Sequence, residues 1–364
     1  MQMKMQVRIN KLQELLAAAQ IEALYVTNPE NRYYLSGFTG TDGALLVCRD
    51  KTFLLTDFRY LEQAKDESPG MTIIEVKDSY AEALASILAE NKISSLGCEG
   101  EHLAYNQFLM LKDKLVNLEI KEKSGLVEKL RLTKYDDEIK NIAEAVRLAE
   151  QAFEKVLPII KPGVSEREVA LQLEYSMRCM GADGAAFDII VASGPRSALP
   201  HGVASTRKLR EGDLVTLDFG AVYHGYHSDI TRTVVIGEPG PKQQEIYYIV
   251  LEAQMRAIEA IRSGRRASDV DRIARDVIAA KGYGERFGHG TGHGLGLSIH
   301  ENPRLSSKDD TVLRQGMIVT VEPGIYLPDW GGVRIEDTVV VEESGCKVLT
   351  GIPKDKLINL LNLS

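Results

Sequence analysis

The chain has 364 residues, of which 44% are hydrophobic and 26% are charged, and this balance predicts a folded protein of more than one domain. A formal net charge of −8 argues against a nucleic-acid surface, and four scattered cysteines argue against a zinc–thiolate site or a disulfide framework. No run approaches the ~18 continuous apolar residues of a membrane span, and residues 1–19 lack the apolar core of a signal peptide. We therefore expect a cytoplasmic protein with neither membrane nor nucleic-acid partners.

The first part of the chain alternates between helical and strand patterns. Helices are predicted over residues 7–20 and 79–91, and strands over residues 21–26, 44–48, 52–56, 73–76 and 95–99. Asp57 is the predicted N-cap of a further helix. This order predicts an α/β domain with a mixed sheet. Because this region contains neither a phosphate-binding glycine loop nor a catalytic cluster, we expect it to act as a scaffold or in oligomerisation.

A domain boundary is expected within residues 124–134, which gives an N-terminal domain of residues 1–125 and a C-terminal domain of residues 126–364. After the boundary comes a long helix with acidic residues in its first turn, where carboxylates suit the helix dipole. Ser165 and Glu168 then have the spacing of a capping box that opens a second helix.

This pair of helices has a counterpart later in the chain. A helix is predicted over residues 245–261, and Ser268 is the predicted cap of the helix that follows. Each pair leads into a glycine, a β-branched run and a hairpin, so a segment of about a hundred residues occurs twice. The repeat predicts two pseudo-symmetric halves of one α+β domain, with a site at their junction.

Each half carries two carboxylates in corresponding places. Asp218 and Glu322 end the β-branched runs, and Asp229 and Glu336 begin the strands that follow. Four acids that face inward repel one another, so they must be protonated or bind cations. Two divalent ions bridged by carboxylates meet this requirement.

The expected turns predict how close these acids lie. A tight hairpin centred on residues 223–224 would put Asp218 opposite Asp229, and a hairpin centred on Asp329 would do the same for the second pair. Directly paired residues on neighbouring strands have Cβ atoms ~4.5–5.5 Å apart. We therefore expect each hairpin to bring its two carboxylates together on one face.

Histidines lie between the two acidic hairpins. His289 and His293 stand in a segment dense in glycine, where the backbone can approach a site closely, and His300 follows it. His293 is the predicted fifth metal ligand, and His201 occupies the corresponding loop of the first half. Oxygen ligation with one imidazole suits manganese or cobalt, and zinc is possible. Metal ions ~3.5–4 Å apart activate a bridging hydroxide for hydrolysis.

These motifs together resemble those of the pita-bread metallopeptidases, in particular the Xaa-Pro-cleaving prolidases and aminopeptidase P. The resemblance rests on residues 28–31, 34–38 and 56–60 in the N-terminal region and on residues 200–202, 218–220, 227–233, 292–294, 300–301, 322–326 and 333–337 in the C-terminal region. It implies an α/β creatinase-type N-terminal domain and an α+β pita-bread catalytic domain with a pseudo-twofold repeat.

The resemblance also implies which residues bind the metals. Asp218 and Asp229 would bind the first ion, and Asp229 and Glu336 would bridge to a second, which His293 and Glu322 complete. A metal-bridging hydroxide would attack the Xaa-Pro bond of a dipeptide or of a short peptide's N-terminus. Glu322 would carry the proton from the water to the leaving nitrogen.

Further residues are implied to surround these ligands. His201 and His300 would contact the substrate and the tetrahedral intermediate. His289 is a candidate for substrate contact and Arg334 for fixing the acidic cluster, with a packed histidine and a structural salt bridge as their alternatives. Tyr326 is expected to pack beside the site. The family further implies a homodimer to which the N-terminal domain contributes.

Other functions stay open. Prolidases cut dipeptides and aminopeptidase P takes the first residue from longer chains, and the compact length favours the former. Methionine aminopeptidase shares the catalytic fold, but the extra N-terminal domain argues against it. Creatinase shares the two-domain layout but lacks the metal ligands. A non-catalytic peptide-binding or partner-binding relative is disfavoured because all five predicted ligands are present.

Overall fold

The computed structural model describes residues 2–360. The chain divides into two units, the first ending at Arg131 and the second beginning at Leu132. This division lies within the boundary region predicted at residues 124–134. A short helix at residues 126–131 therefore belongs to the first unit, whereas the limit expected at residue 125 assigns it to the second. Within the described residues, no helix is long and apolar enough to cross a membrane.

The first unit is built from short helices and strands. Its elements are α1 Gln2–Ala18, β1 Ala23–Val26, α2 Pro29–Ser36, β2 Ala44–Cys48, β3 Thr52–Thr56, α3 Leu61–Glu67, β4 Thr72–Glu75, α4 Tyr80–Glu90, β5 Ser95–Cys98, α5 Tyr105–Lys114, β6 Glu119–Glu122 and α6 Leu126–Arg131. The strands form one sheet in the order β4-β3-β2-β1-β5-β6. Because β1 is antiparallel to β2 and parallel to β5, the sheet is mixed, as predicted.

Central strands of this sheet are apolar and buried along their whole length, which is typical of strands covered on both faces. The strands at residues 44–48 and 52–56 have the predicted bounds. Asp57 behaves differently from the prediction, because its Oδ1 accepts a hydrogen bond of 2.9 Å from Arg59 N and caps the 3₁₀ turn Phe58–Tyr60. The α-helix begins only after that turn.

The second unit contains the predicted repeat. Its elements are α7 Asp136–Val156, α8 Glu166–Cys179, β7 Gly184–Ala185, β8 Ile190–Ser193, β9 Leu214–Phe219, β10 Ala221–Tyr223, β11 Tyr226–His227, β12 Ile230–Val235, α9 Pro241–Ala260, α10 Ala267–Ala280, β13 Gly292–Gly294, β14 Glu301–Leu305, β15 Ile318–Val321, β16 Gly324–Leu327, β17 Gly331–Arg334, β18 Asp337–Val341, β19 Cys346–Val348 and β20 Ile358–Asn359. Helix pair, strands and hairpin thus follow one another twice.

Each half packs its helix pair on its own sheet. The first half places α7 and α8 beside the sheet β20-β12-β9-β8, and the second places α9 and α10 beside the sheet β14-β13-β15-β18-β19. Phe153 of α7 stacks on Phe219 of β9 with ring centroids 5.4 Å apart. Both cores are continuous apolar clusters, so the two acidic hairpins extend from rigid supports.

One predicted helix cap is confirmed and another is wrong. Ser165 caps α8, with Glu168 N donating to its Oγ at 3.2 Å and its own N–H donating to Glu168 Oε2 at 2.7 Å. Ser268 lies inside α10, whose N-cap is Arg266. The Ser268 hydroxyl donates instead to Asp310 Oδ1 at 2.7 Å, and its N–H donates to a backbone carbonyl of the same segment. A neighbouring chain segment therefore replaces the side-chain cap.

The first acidic hairpin is shifted relative to the predicted register. Asp218 pairs with Thr231 and not with Asp229. The reason is the two-residue turn at His224 and Gly225, which have φ angles of 49° and 75°. Positive φ at both central residues is typical of a type I′ hairpin turn. The two carboxylates are therefore diagonal neighbours across the hairpin.

The second acidic hairpin has the predicted register. Val321 of β15 pairs with Asp337 of β18, and the same register continues through the gap to Glu322 and Glu336. Its turn contains Asp329, whose φ of 60° is left-handed. Glu322 and Glu336 therefore face one another where one ladder ends and the next begins.

Candidate metal centre

A cavity of ≈ 550 Å³ in the second unit contains nearly all of the predicted site residues. The predicted residues that line it are His201, Asp218, Asp229, His289, His293, His300, Glu322, Arg334 and Glu336. Tyr326 is buried beside them, and its hydroxyl contacts His289 Nε2 at 2.9 Å and Arg334 Nη1 at 3.0 Å. The residues chosen from the sequence thus lie together in space.

Close backbone approach positions His293. A Cβ atom on Gly292 would lie 1.9 Å from Thr320 O, so only glycine allows β13 to pass this near to β15. His293 N then donates to Thr320 Oγ1 at 3.0 Å. The imidazole Nε2 is held 3.5 Å from Asp229 Oδ2 and 3.3 Å from Glu322 Oε1.

The grouping of donor atoms suits a divalent metal ion. Asp229, His293 and Glu336 are buried, and each offers a ligand atom within 4.8 Å of the other two. Asp218 Oδ1 is buried and has no hydrogen-bond partner among residues 2–360. A buried carboxylate oxygen without a partner is costly unless a cation or a proton satisfies it. The residues therefore fit a metal site of carboxylate and imidazole ligands.

The electrostatics of the buried carboxylates also indicate a metal site. Burial and the charges of Glu336, Asp218 and Glu322 raise the pKa of Asp229 well above its ordinary value. Burial and the neighbouring acids likewise raise the pKa of Glu336 well above its ordinary value. Burial, reinforced by Asp218, raises the pKa of Glu322 to about 7. Divalent cations relieve this repulsion and keep the carboxylates ionised.

Three histidines of the cavity, His289, His293 and His300, have lowered pKa values, which favours the neutral imidazole. Burial lowers the pKa of His293 to about 3 and that of His289 to about 4. His300 lies edge-on to His293, with ring centroids 4.4 Å apart, and burial lowers its pKa as well. A neutral imidazole has a lone pair for a metal and an N–H for a hydrogen bond. Both capacities are needed at a hydrolytic metal site.

Arg334 links the acidic cluster to its surroundings. Its Nη2 donates to Asp218 Oδ2 at 2.6 Å, and its Nε donates to Thr231 Oγ1 at 3.0 Å. Its Nη1 also donates to Pro200 O at 3.1 Å, in the loop that contains His201. The contact with Asp218 leaves the other oxygen of that carboxylate available. Arg334 thus hydrogen-bonds one of the four acids, Asp218.

Several residues of the cavity were not expected from the sequence. Phe187, Asp188, Ile190 and Arg304 line it but lie outside the repeated motifs. Arg304 reaches the cavity as the cross-strand partner of His293 in the β13–β14 pair. That pairing contains a register shift, which single-sequence reasoning does not predict.

Comparison with known proteins identifies the two parts of the chain. Residues 140–343 match metallopeptidase family M24, and residues 8–133 match the creatinase/prolidase N-terminal domain. The chain is 44% identical over 355 residues to a protein named Xaa-Pro dipeptidase from Pyrococcus furiosus, which covers 97% of this chain and 100% of that one. These matches confirm the resemblance found in the sequence.

Solved structures are similar over nearly the whole chain. A structure described as an Xaa-Pro dipeptidase from Bacillus anthracis is 49% identical, with a TM-score of 0.95, and the match covers 97% of this chain and 99% of that one. A structure described as an X-Pro aminopeptidase from Thermotoga maritima is 40% identical, with a TM-score of 0.89 and coverage of 95% and 99%. The predicted creatinase-type and pita-bread architecture is therefore confirmed.

Proposed function

The chain belongs to metallopeptidase family M24, and we propose that it hydrolyses the Xaa-Pro bond of dipeptides with two divalent metal ions. The proposed ligands are Asp218, Asp229, His293, Glu322 and Glu336. One observation supports this most directly: all four carboxylates and the imidazole of this proposed ligand set line a single cavity. The names of the similar proteins from Pyrococcus furiosus and Bacillus anthracis support the choice of substrate.

Family membership implies divalent metal ions, and their number and identity are part of the proposal. Asp218 and Asp229 would bind the first ion, and Asp229 and Glu336 would bridge it to the second. His293 and Glu322 would complete the second site. An oxygen-rich donor set with one imidazole suits manganese best, with cobalt or zinc as alternatives.

Different residues of the site would contribute to different steps of the reaction. Bound metal ions would activate water and polarise the scissile carbonyl group. Glu322 is placed to accept a proton from water and deliver it to the leaving proline nitrogen. His300 and His201 would donate hydrogen bonds to the substrate and to the oxygen that becomes negatively charged.

Selectivity for proline needs a special explanation. The nitrogen of an Xaa-Pro bond carries no hydrogen, so an enzyme cannot hold the scissile bond through an N–H group. The pyrrolidine ring must then be recognised by shape. Phe187, Ile190 and Ile299 provide apolar surface in the cavity for such a ring.

Three peptides test the proposal. We expect release of free alanine from Ala-Pro in the presence of manganese or cobalt, with slower release from Ala-Pro-Ala and none from Met-Ala-Ala. Faster cleavage of Ala-Pro-Ala than of Ala-Pro would indicate an aminopeptidase P activity. Cleavage of Met-Ala-Ala alone would indicate a methionine aminopeptidase. Absence of stoichiometric metal and of all cleavage would indicate a binding protein.

The proposal extends to assembly and location. We propose a homodimer, as the resemblance to prolidases implies, with the N-terminal domain as scaffold and dimerisation element. Equilibrium sedimentation tests this state. A cytoplasmic location is proposed because Cys48, Cys98, Cys179 and Cys346 are all free, which suits a reducing compartment.

A further inference from the structure

The loop between β8 and β9 holds the histidine proposed to contact the substrate. Pro200, His201 and Val203 of this loop line the cavity. Among residues 2–360, no side chain or backbone group forms a hydrogen bond with the His201 imidazole, and the residue is exposed. The position of the ring therefore depends on how firmly the loop backbone is held.

A buried carboxylate closes the base of this loop. Glu166, the first residue of α8, is 0% exposed. Its Oε1 accepts hydrogen bonds from Ser193 N at 2.8 Å and Ser193 Oγ at 2.7 Å. Its Oε2 accepts from Ser205 N at 3.0 Å and Ser205 Oγ at 2.6 Å. One side chain thus joins Ser193, the last residue of β8, to Ser205 and closes the part of the loop that contains His201.

Arg196 extends the same network across the loop. Its Nη1 donates to Glu166 Oε2, and its Nη2 donates to Val203 O at 2.9 Å. On the cavity side, Arg334 Nη1 donates to Pro200 O. The residues next to His201 are therefore held from both directions, by Arg334 inside the cavity and by Glu166 through Arg196 outside it.

We propose that Glu166 is a positioning residue for His201, acting through Ser193, Ser205 and Arg196. The proposal rests on the proposed function, in which His201 contacts the substrate. Glu166 does not line the cavity, so it cannot act on the reacting atoms directly. Its five hydrogen-bond donors leave no polar atom of the carboxylate unsatisfied, and such networks fix a unique geometry.

The second half of the domain uses a related device, which supports this role. Asp271 of α10 is buried, and its Oδ1 accepts from Thr291 N at 3.0 Å and Thr291 Oγ1 at 2.9 Å. Arg275, paired with Asp271, donates to Phe287 O and to His289 O. In both halves, then, a buried carboxylate of the second helix pairs with an arginine. The arginine in turn donates hydrogen bonds to the backbone of a segment that contains a histidine.

A double-mutant cycle with His201 tests the proposal. We expect Glu166→Gln to lower kcat/KM for Ala-Pro by roughly ten- to hundredfold, because the amide places an N–H₂ group against N–H donors and small displacements are costly in catalysis. In the His201→Ala background the same substitution should lower kcat/KM less than about twofold, since its effect passes through the missing ring. Equal losses in both backgrounds would overturn the proposal.

Controls separate positioning from general damage. Glu211→Gln makes the same chemical change at an exposed carboxylate of the loop between β8 and β9 and should leave kcat/KM within about twofold. The Glu166→Gln protein should bind as much manganese as the wild type, because the proposed ligands are untouched. Loss of metal together with activity would assign Glu166 a structural role and overturn the proposal.

A milder pair of variants covers the case in which Glu166→Gln does not fold. Ser205→Ala removes one hydrogen bond to Glu166 and should lower kcat/KM, whereas Ser205→Thr keeps the hydroxyl and should restore it. If Ser205→Ala and Ser205→Thr are equally active, the proposal is wrong. If His201→Ala is as active as the wild type, the substrate contact proposed for His201 is wrong. This result is distinct from a failure of the positioning role of Glu166.

Discussion

Thr231 Oγ1 donates a hydrogen bond of 2.7 Å to Glu336 Oε2, although the two residues lie in different halves of the catalytic domain. The threonine also accepts from Arg334 Nε at 3.0 Å. Thr338, its counterpart in the second half, donates to Asp229 O at 2.9 Å. Thr231 thus holds the carboxylate of Glu336 in the other half, and Thr338 holds the backbone carbonyl of Asp229 in return.

These hydrogen bonds between the two halves predict the effect of removing the Thr231 hydroxyl. Thr231→Val keeps the shape of the side chain but removes the hydroxyl that hydrogen-bonds to Glu336 Oε2 and Arg334 Nε. Partners behind metal ligands typically contribute 10–100-fold in affinity, so we expect manganese binding weaker by roughly that factor. Titration calorimetry on protein stripped of metal measures it. Thr231→Ser keeps the hydroxyl and should bind like the wild type, and equal affinities for both variants would contradict the prediction.

Asp229→Ala should abolish peptidase activity without unfolding the chain. Asp229 is the proposed bridging ligand, and its removal also relieves repulsion from Glu336 in the buried cluster. We expect substoichiometric metal, a melting temperature at or above that of the metal-free wild type, and no turnover of Ala-Pro. Asp276→Ala, at an exposed position of α10, is the matched control and should stay active. Full turnover by Asp229→Ala with excess metal would contradict the two-metal proposal.

Glu322→Gln should impair the chemical step more than substrate binding. The amide preserves size but can neither take the proton from water nor return it to the leaving nitrogen. General acid–base groups typically contribute 10²–10⁴-fold, so kcat for Ala-Pro should fall by roughly that factor while KM changes little. Steady-state kinetics at matched metal occupancy measure both constants. An unchanged kcat would remove Glu322 from proton transfer.

Much of the site was predictable because its residues lie in short sequence segments that occur twice. Asp218 and Glu322 stand at the ends of β-branched runs, and a glycine beside His293 indicates close packing even without coordinates. These features depend on local sequence, and the structure gathers all of them around one cavity. The repeat itself supplied the prediction that the two halves meet at a site.

Other features depended on contacts that no local pattern encodes. The register of the first hairpin was missed because turn type, at His224 and Gly225, shifts every pair by a fixed amount. The cap of α10 was missed because a distant segment satisfies the helix end near Ser268. Phe187 and Ile190 reach the cavity through tertiary packing, and apolar residues in buried positions look alike in sequence.

The raised carboxyl pKa values predict how stability depends on pH without metal. Native Glu322, with a pKa of about 7, retains a proton that the unfolded chain releases from about pH 4.3 upward. The free energy of unfolding therefore falls as pH rises through neutrality. The lowered pKa values of His289 and His293 act in the opposite sense, but only below the ordinary histidine value of about 6.5.

Melting temperatures of chelator-treated protein check this expectation. Above about pH 6.5 the histidine effect fades and the carboxylate effect dominates, so the melting temperature should fall between about pH 6.5 and 8. Excess manganese should raise it more at the upper pH, because metal binding requires deprotonated ligands. Metal-free Glu322→Gln should show a shallower fall. A melting temperature that rises with pH in this interval would contradict the raised carboxyl pKa values.

A buried ion pair beside His300 gives the last prediction. Lys134 Nζ lies 2.9 Å from Glu301 Oε2, with side chains 2% and 8% exposed. Lys134→Met removes the cation and leaves the adjacent carboxylate buried without its charge partner, which typically costs about 3–5 kcal/mol. Denaturant unfolding should show this loss. Combining Lys134→Met with Glu301→Gln removes the uncompensated charge and should recover much of the stability, because replacing both partners is far less costly than removing one. If the double variant is less stable than Lys134→Met alone, the pair is not what sets the stability of this segment.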